Sequence, residues 1–106
     1  MIARIWHGLT PTSKADEYVE YLKRTGIPDY QATEGNLGTH ILRRIEGGQA
    51  HFLTLTFWDS VESIKQFAGE DFEKARYYPE DADYLLEFEE KVAHYEVMFS
   101  APSMES

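Results

Sequence analysis

Residues 50 to 58 alternate without a break. Leu53, Leu55 and Phe57 fall on one side of an extended chain, and Phe52, Thr54, Thr56 and Trp58 on the other. Successive side chains of a strand point to opposite faces, so this run reads as a β-strand with apolar residues on both of them. Such a strand needs cover on two sides. Ahead of it, Leu37 to Ile45 reads as a second strand with Ile41 and Leu42 in opposite phase, and Glu46-Gly47-Gly48-Gln49 supplies the turn of a hairpin.

The hairpin sits in the middle of a symmetrical arrangement. Ile2 to Gly8 reads as an opening strand, because Ile2, Ile5 and Trp6 favour extended chain and no cap precedes them. Thr10-Pro11 offers an N-cap and first-turn proline, and Ser13 with Asp16 a second start resembling a capping box. Ala15, Tyr18, Val19 and Leu22 then form one helical stripe, which Gly26 and Pro28 are expected to stop. A polar connection over 29–36 leads to the hairpin. Beyond it, Asp59 with Glu62 suggests a cap, and Val61, Ile64 and Phe67 or Ala68 the stripe of a short helix closed by Gly69. A further helical turn is expected from Asp71 to Tyr78, ended by Pro79. Residues 80–90 fit either a helical face or an exposed excursion, and Lys91 to Phe99 reads as the last strand.

Strand, helix, hairpin, helix, strand is the order of a ferredoxin-like β-α-β-β-α-β unit, an α+β fold with a four-stranded antiparallel sheet. Both crossovers then cover one face. The other face, carrying Leu53, Leu55 and Phe57, calls for a partner, and a homodimer through that face is expected. The 106 residues suit a single domain, assigned to 1–99, with 100–106 as a C-terminal tail.

Charge narrows the partners. Nineteen acidic against 10 basic residues give a net charge of -9, which a dimer doubles. Nucleic acid and anionic membranes are therefore poor partners. With no cysteine there is no disulfide, iron–sulfur or thiolate zinc chemistry. No signal-like segment and no spanning apolar run is seen, so the cytoplasm is expected.

Four histidines, His7, His40, His51 and His94, fall one on each expected strand without metal-ligand spacing, and no metal is assigned. For the last three, completing hydrogen bonds at strand edges or at a subunit interface is the plain explanation. Phosphate-loop and nucleophile-elbow motifs are missing. Trp6, Phe52, Trp58, Phe67, Phe72, Tyr77 and Tyr78 gather around strands one and three and the second helix. They either line one cavity or fill the core.

Four segments together carry a resemblance: Ile2-Ala3-Arg4-Ile5-Trp6-His7-Gly8, Leu55-Thr56-Phe57-Trp58-Asp59-Ser60, Phe67-Ala68-Gly69-Glu70-Asp71-Phe72 and His94-Tyr95-Glu96-Val97. The chain resembles the antibiotic biosynthesis monooxygenase superfamily of dimeric α+β barrels over residues 2 to 99. The resemblance implies a monooxygenase acting on a planar aromatic small molecule without a conventional metal or flavin. Two alternatives stand behind it, a non-enzymatic ligand-binding dimer and a haem-binding, haem-degrading enzyme with an atypical ligand. In the haem-degrading branch an Asn, a Trp and an iron-ligating His mark the pocket. Their positions fall on His7, Trp58 and Tyr77, so only the tryptophan is kept; classical haem degradation is then not expected, and haem itself would need a tyrosinate ligand. On this basis His7, Trp58 and Tyr77 are expected to line one pocket between helices and sheet, with His7 as acid–base group. Trp6, Phe52, Phe67, Phe72 and Tyr78 complete its lining.

Overall fold

The computed structural model describes residues 1–101. Four strands, β1 (Ile2–Pro11), β2 (Asn36–Glu46), β3 (Gln49–Trp58) and β4 (Ala93–Glu96), form one antiparallel sheet in the order β2-β3-β1-β4. Helices α1 (Ala15–Arg24), α2 (Gly26–Ala32) and α3 (Val61–Ala68) lie in the two crossovers. This is the α+β, ferredoxin-like arrangement read from the sequence.

The hairpin keeps its expected register, with Leu42 opposite Leu53 and Ile41 opposite Thr54. Burial along β3 alternates as its sequence does. Ala50, Phe52, Thr54, Thr56 and Trp58 are buried beneath the helices, and His51, Leu53, Leu55 and Phe57 are half-buried on the open face. The open face of the neighbouring strands adds Ala3, Ile5, His7 and Leu9 from β1, His40, Leu42 and Arg44 from β2, and Tyr95 from β4.

Several local expectations are corrected. Strand β1 continues through Thr10 and Pro11, which pair with Ala50 and Gln49, so neither residue opens the helix. A 3-10 turn, Thr12–Lys14, leads into α1 instead, and no side chain caps it. Thr25 breaks the helical path for one residue, and Gly26 then begins α2 rather than ending α1. Pro28 sits in the first turn of α2, where its missing N–H has no helical acceptor to lose. Residues 29–32, expected in a connection, are therefore helical. Ser60, not Asp59, caps α3 by accepting from the Ser63 amide at 3.2 Å. Asp59 accepts the Ser63 hydroxyl, and its hydrogen bonds hold its carboxyl below the usual range.

The largest correction lies between α3 and β4. Asp71 to Tyr78 is not a helix: Lys74 makes an isolated bridge to Lys91, and Tyr78 is extended (φ −109°, ψ 156°). Proline disfavours helical geometry in the residue before it, and Pro79 accordingly opens a 3-10 helix, Pro79–Asp83, instead of ending one. Residues 84–92 then run beside β1 beyond the end of short β4, with the Leu86 amide donating to the Leu9 carbonyl at 2.8 Å. Strand β4 is four residues long, not the nine expected from Lys91 to Phe99. Most of the expected tail, from residue 102 onward, lies outside the described residues.

Candidate functional site

Alternation along β1 decides where chemistry can be assembled. Trp6 pairs with Thr54 and faces the helices, whereas His7 pairs with Leu53 and faces the open side. His7, Trp58 and Tyr77 therefore do not share a pocket between helices and sheet.

The helix side is filled. One cluster contains Trp6, Tyr18, Tyr21, Leu22 and Phe52, with Tyr77, Tyr78 and Tyr84 packed on it. A second contains Tyr30, Trp58, Ile64 and Phe67, with Phe72 at its edge. The expected aromatic lining is thus divided between two cores. Trp58 is fully buried, and its indole N–H donates to Thr56 Oγ1 at 2.8 Å, which satisfies the one polar atom of the ring. Trp6 lies over Gly8, where any Cβ would come within 2.3 Å of the indole. The glycine therefore lets the ring occupy space along the strand. The cavity bordered by Trp6, Tyr18, Tyr30, Thr54 and Tyr78 is about 20 Å³, room for roughly one water, and a separate open pocket of about 410 Å³ runs along Lys74, Ala75, Tyr77, Phe88 and Glu89.

Polar groups inside this layer are mostly tied to one another. The Tyr18 hydroxyl donates to Asp81 at 2.9 Å, and the Tyr78 amide donates to the other oxygen of that carboxylate at 2.6 Å. Burial and the Asp81 charge push the Tyr18 phenol up, and burial raises Asp81 itself. The Tyr78 hydroxyl donates to Asp29 at 2.5 Å, and Arg76 pairs with the same oxygen at 3.2 Å. Arg4, 1% exposed, sits against the Phe67 ring with its Nε unpartnered. Burial lowers its pKa.

On the open side the strands bring two histidines together. His7 Nε2 and His51 Nδ1 are 3.2 Å apart, with the rings stacked at 28°. His7 Nδ1 contacts Glu89 Oε2 at 2.5 Å, and His51 Nε2 lies 3.8 Å from Glu46 Oε1. Glu89 is delivered by the segment beside β1. The Tyr77 hydroxyl donates to the Glu89 backbone carbonyl at 2.6 Å, so Tyr77 reaches His7 indirectly, through this residue. The array borders an open groove of about 340 Å³, lined by His7, Leu42, Arg43, Arg44, Glu46, His51 and Leu53. That volume lies at the lower end of small-molecule sites. His51 and Glu89 escaped the sequence reading. Its spacing gives His51 no more than a hydrogen bond at a strand edge or a subunit interface, and no local signal shows which carboxylate of 80–90 turns towards β1.

The order β2-β3-β1-β4, with helical crossovers on one face, can be compared with known structures. A candidate antibiotic biosynthesis monooxygenase from Bacillus cereus superimposes with a TM-score of 0.67 at 17% identity, covering 96% of this chain and 97% of that one. The fold is that of the antibiotic biosynthesis monooxygenases. A second candidate monooxygenase of this fold, from Nitrosomonas europaea, gives a TM-score of 0.64 at 17% identity over 93% of this chain and 100% of the other. A mutant of MhuD with two manganese protoporphyrin IX molecules per active site gives 0.63 at 18% identity, covering 97% and 100%. No protein-family model and no curated protein matches the sequence. At such identities the monooxygenase fold is shared, and reaction and substrate have to be argued from side chains. Among the described residues, no helix is long and apolar enough to cross a membrane and no cluster of three or more potential metal ligands is present.

Proposed function

We propose that this chain is a monooxygenase of the antibiotic-biosynthesis type that acts as a homodimer on a small phenolic or enolic molecule, with the His7–His51 pair as its acid–base group. The observation carrying this reading is the hydrogen-bonded array of Glu89, His7 and His51 beside an open groove. Histidine exchanges protons near neutrality, and a carboxylate on one ring nitrogen orients the imidazole. Removal of a proton would leave an electron-rich carbanion that reacts with dioxygen. One oxygen atom then enters the product and the other leaves as water, with the substrate supplying all the electrons. Tyr77 acts as a positioning residue by holding the Glu89 backbone. Trp58 supports the sheet from the far face.

Haem, bound as a manganese analogue by one structural neighbour, does not fit the helix–sheet layer of this chain. The cavity there is about 20 Å³, and the Tyr77 hydroxyl at the proposed ligand position already donates to the Glu89 carbonyl.

The dimer is supported by the character of the open face. Away from His7 and His51 it presents Ala3, Ile5, Leu55, Phe57 and Tyr95, with His40 against the Phe57 ring, and Tyr95 is 58% exposed. Packing this end against its symmetry mate would leave His7 and His51 towards the rim.

Dioxygen uptake with a panel of anthrones and polyphenols, in chelator and without added flavin, tests the proposal. Saturable uptake that falls at least tenfold in His7→Ala is expected. Lack of uptake across the panel with saturable binding retained would overturn the enzyme and favour the second reading, a non-enzymatic ligand-binding dimer.

A further inference from the structure

We infer that His51, rather than His7, is the proton acceptor of the groove, and that Glu89 and His7 act through it by fixing its tautomer. This rests on the acid–base role proposed for the pair and specifies the nitrogen that takes the proton. An ionised carboxylate only accepts hydrogen bonds, so Glu89 Oε2 at 2.5 Å requires a proton on His7 Nδ1. A neutral His7 then has its lone pair on Nε2. Across the 3.2 Å contact that lone pair accepts from His51 Nδ1–H. By elimination the free lone pair of the array belongs to His51 Nε2. The nearest carboxylate oxygen, Glu46 Oε1, stands 3.8 Å away, beyond hydrogen-bond reach, so it does not oblige Nε2 to carry a proton.

Charge around the groove fits an acid whose conjugate base is an oxyanion. Arg44, on the open face opposite His51, borders the groove, and its guanidinium is 76% exposed and, among the described residues, held only by Glu46 at 2.7 Å. Arg43 is turned to Asp16 of α1 and is already paired. Leu42 and Leu53 supply apolar walls. The substrate class is therefore a compact, largely apolar phenol or enol whose oxygen lies towards Arg44. The O–H bond breaks, the proton binds His51 Nε2, and the electron pair stays on the substrate as phenolate or enolate. The Nδ1 proton of His51 then passes to His7 Nε2. His51 ends neutral with its proton on Nε2, and the imidazolium charge rests on His7 beside Glu89. The charged groups facing the pair are Glu89 from the segment along β1, and Arg44 and Glu46 from β2.

Two readouts on the full chain test this, neither of which needs turnover. Long-range proton–nitrogen correlation on histidine-labelled protein at mildly alkaline pH should show His51 as the Nδ1–H tautomer with a pyridine-like Nε2. In Glu89→Gln the constraint on His7 is relaxed, and His51 should move towards the Nε2–H form. Titration of 4-nitrophenol, buffered below its own pKa, should produce a saturable rise in the phenolate band that is lost in His51→Asn and weakened in Arg44→Met. An Nε2–H tautomer for His51 in the wild-type protein would overturn the assignment, whatever the fate of dioxygen. Correct tautomers without a phenolate band would overturn the role of His51 Nε2 as acceptor. Should His51→Asn fail to fold, His7→Gln serves, since its amide cannot relay a proton and the band should again weaken.

Discussion

The two faces of the sheet differ by one residue of phase and by almost everything else. Beneath the helices, Trp6, Phe52 and Trp58 are buried and packed into closed cores. On the open side, His7, His51 and Leu53, their immediate neighbours in sequence, border a groove. In strands β1 and β3 one face spends its aromatic residues on cohesion and leaves no room for a ligand. The other keeps polar groups within reach of water. A strand that presents apolar side chains both ways thus folds on one side and, on the proposed reading, leaves the other for association or binding.

Substitutions on the two faces should accordingly fail in different ways. The largest effect is expected from Trp58→Ala, which removes a fully buried indole and should cost about 3–5 kcal/mol in chemical denaturation. A loss below about 1 kcal/mol would mean that the second core is not packed as described. Phe57→Lys, one residue earlier and on the open face, should halve the mass in sedimentation while leaving the circular dichroism unchanged. Retention of the wild-type mass would remove this face from the interface.

A smaller effect is expected from Arg4→Met. The guanidinium is buried with an unpartnered Nε, and replacing a poorly paired buried charge by an apolar chain of similar length is often neutral or stabilising by about 1–4 kcal/mol. A marked destabilisation would reveal a stronger partner than the Lys74 carbonyl, 3.5 Å away. The smallest effect concerns pH. Burial, with the Arg4 charge adding to it, lowers the pKa of His94 below its ordinary 6.5. The unfolded chain therefore takes up this proton first, and stability should fall as the pH drops from above 6.5 towards the lower folded value. His94→Gln should flatten that part of the stability–pH curve, and an unchanged slope would show that His94 does not contribute to it.

The sheet was legible because its signal is local. Alternation in β3, the Gly47-Gly48 turn and the apolar phase of β2 fix pairing and faces without reference to the rest of the chain. Helix boundaries were less legible, since glycine and proline punctuate without specifying direction. Gly26 and Pro28 suit the end of one helix and the first turn of the next equally well, and the interruption at Thr25 decides between them. Tyr77-Tyr78-Pro79 departs from the expected helical turn for a related reason: proline constrains the residue before it, and Tyr78 is extended. The pleat separates His7 from Trp58. The partner of β1 Trp6 on the helix side is Thr54, and one step along the strand moves a side chain to the other face. Glu89 lies 82 residues from His7 in sequence, and only the return of residues 84–92 along β1 brings the two into contact.

The separation of cohesion from chemistry across this sheet can be tested directly by amide chemical-shift mapping with a planar phenol such as 2-naphthol. Saturable shifts confined to His7, Leu42, Arg44, His51 and Leu53 are expected. Shifts centred on Trp6, Tyr18, Ile27 and Tyr30 would contradict this, because they would mean that the helix–sheet layer opens to admit the ligand.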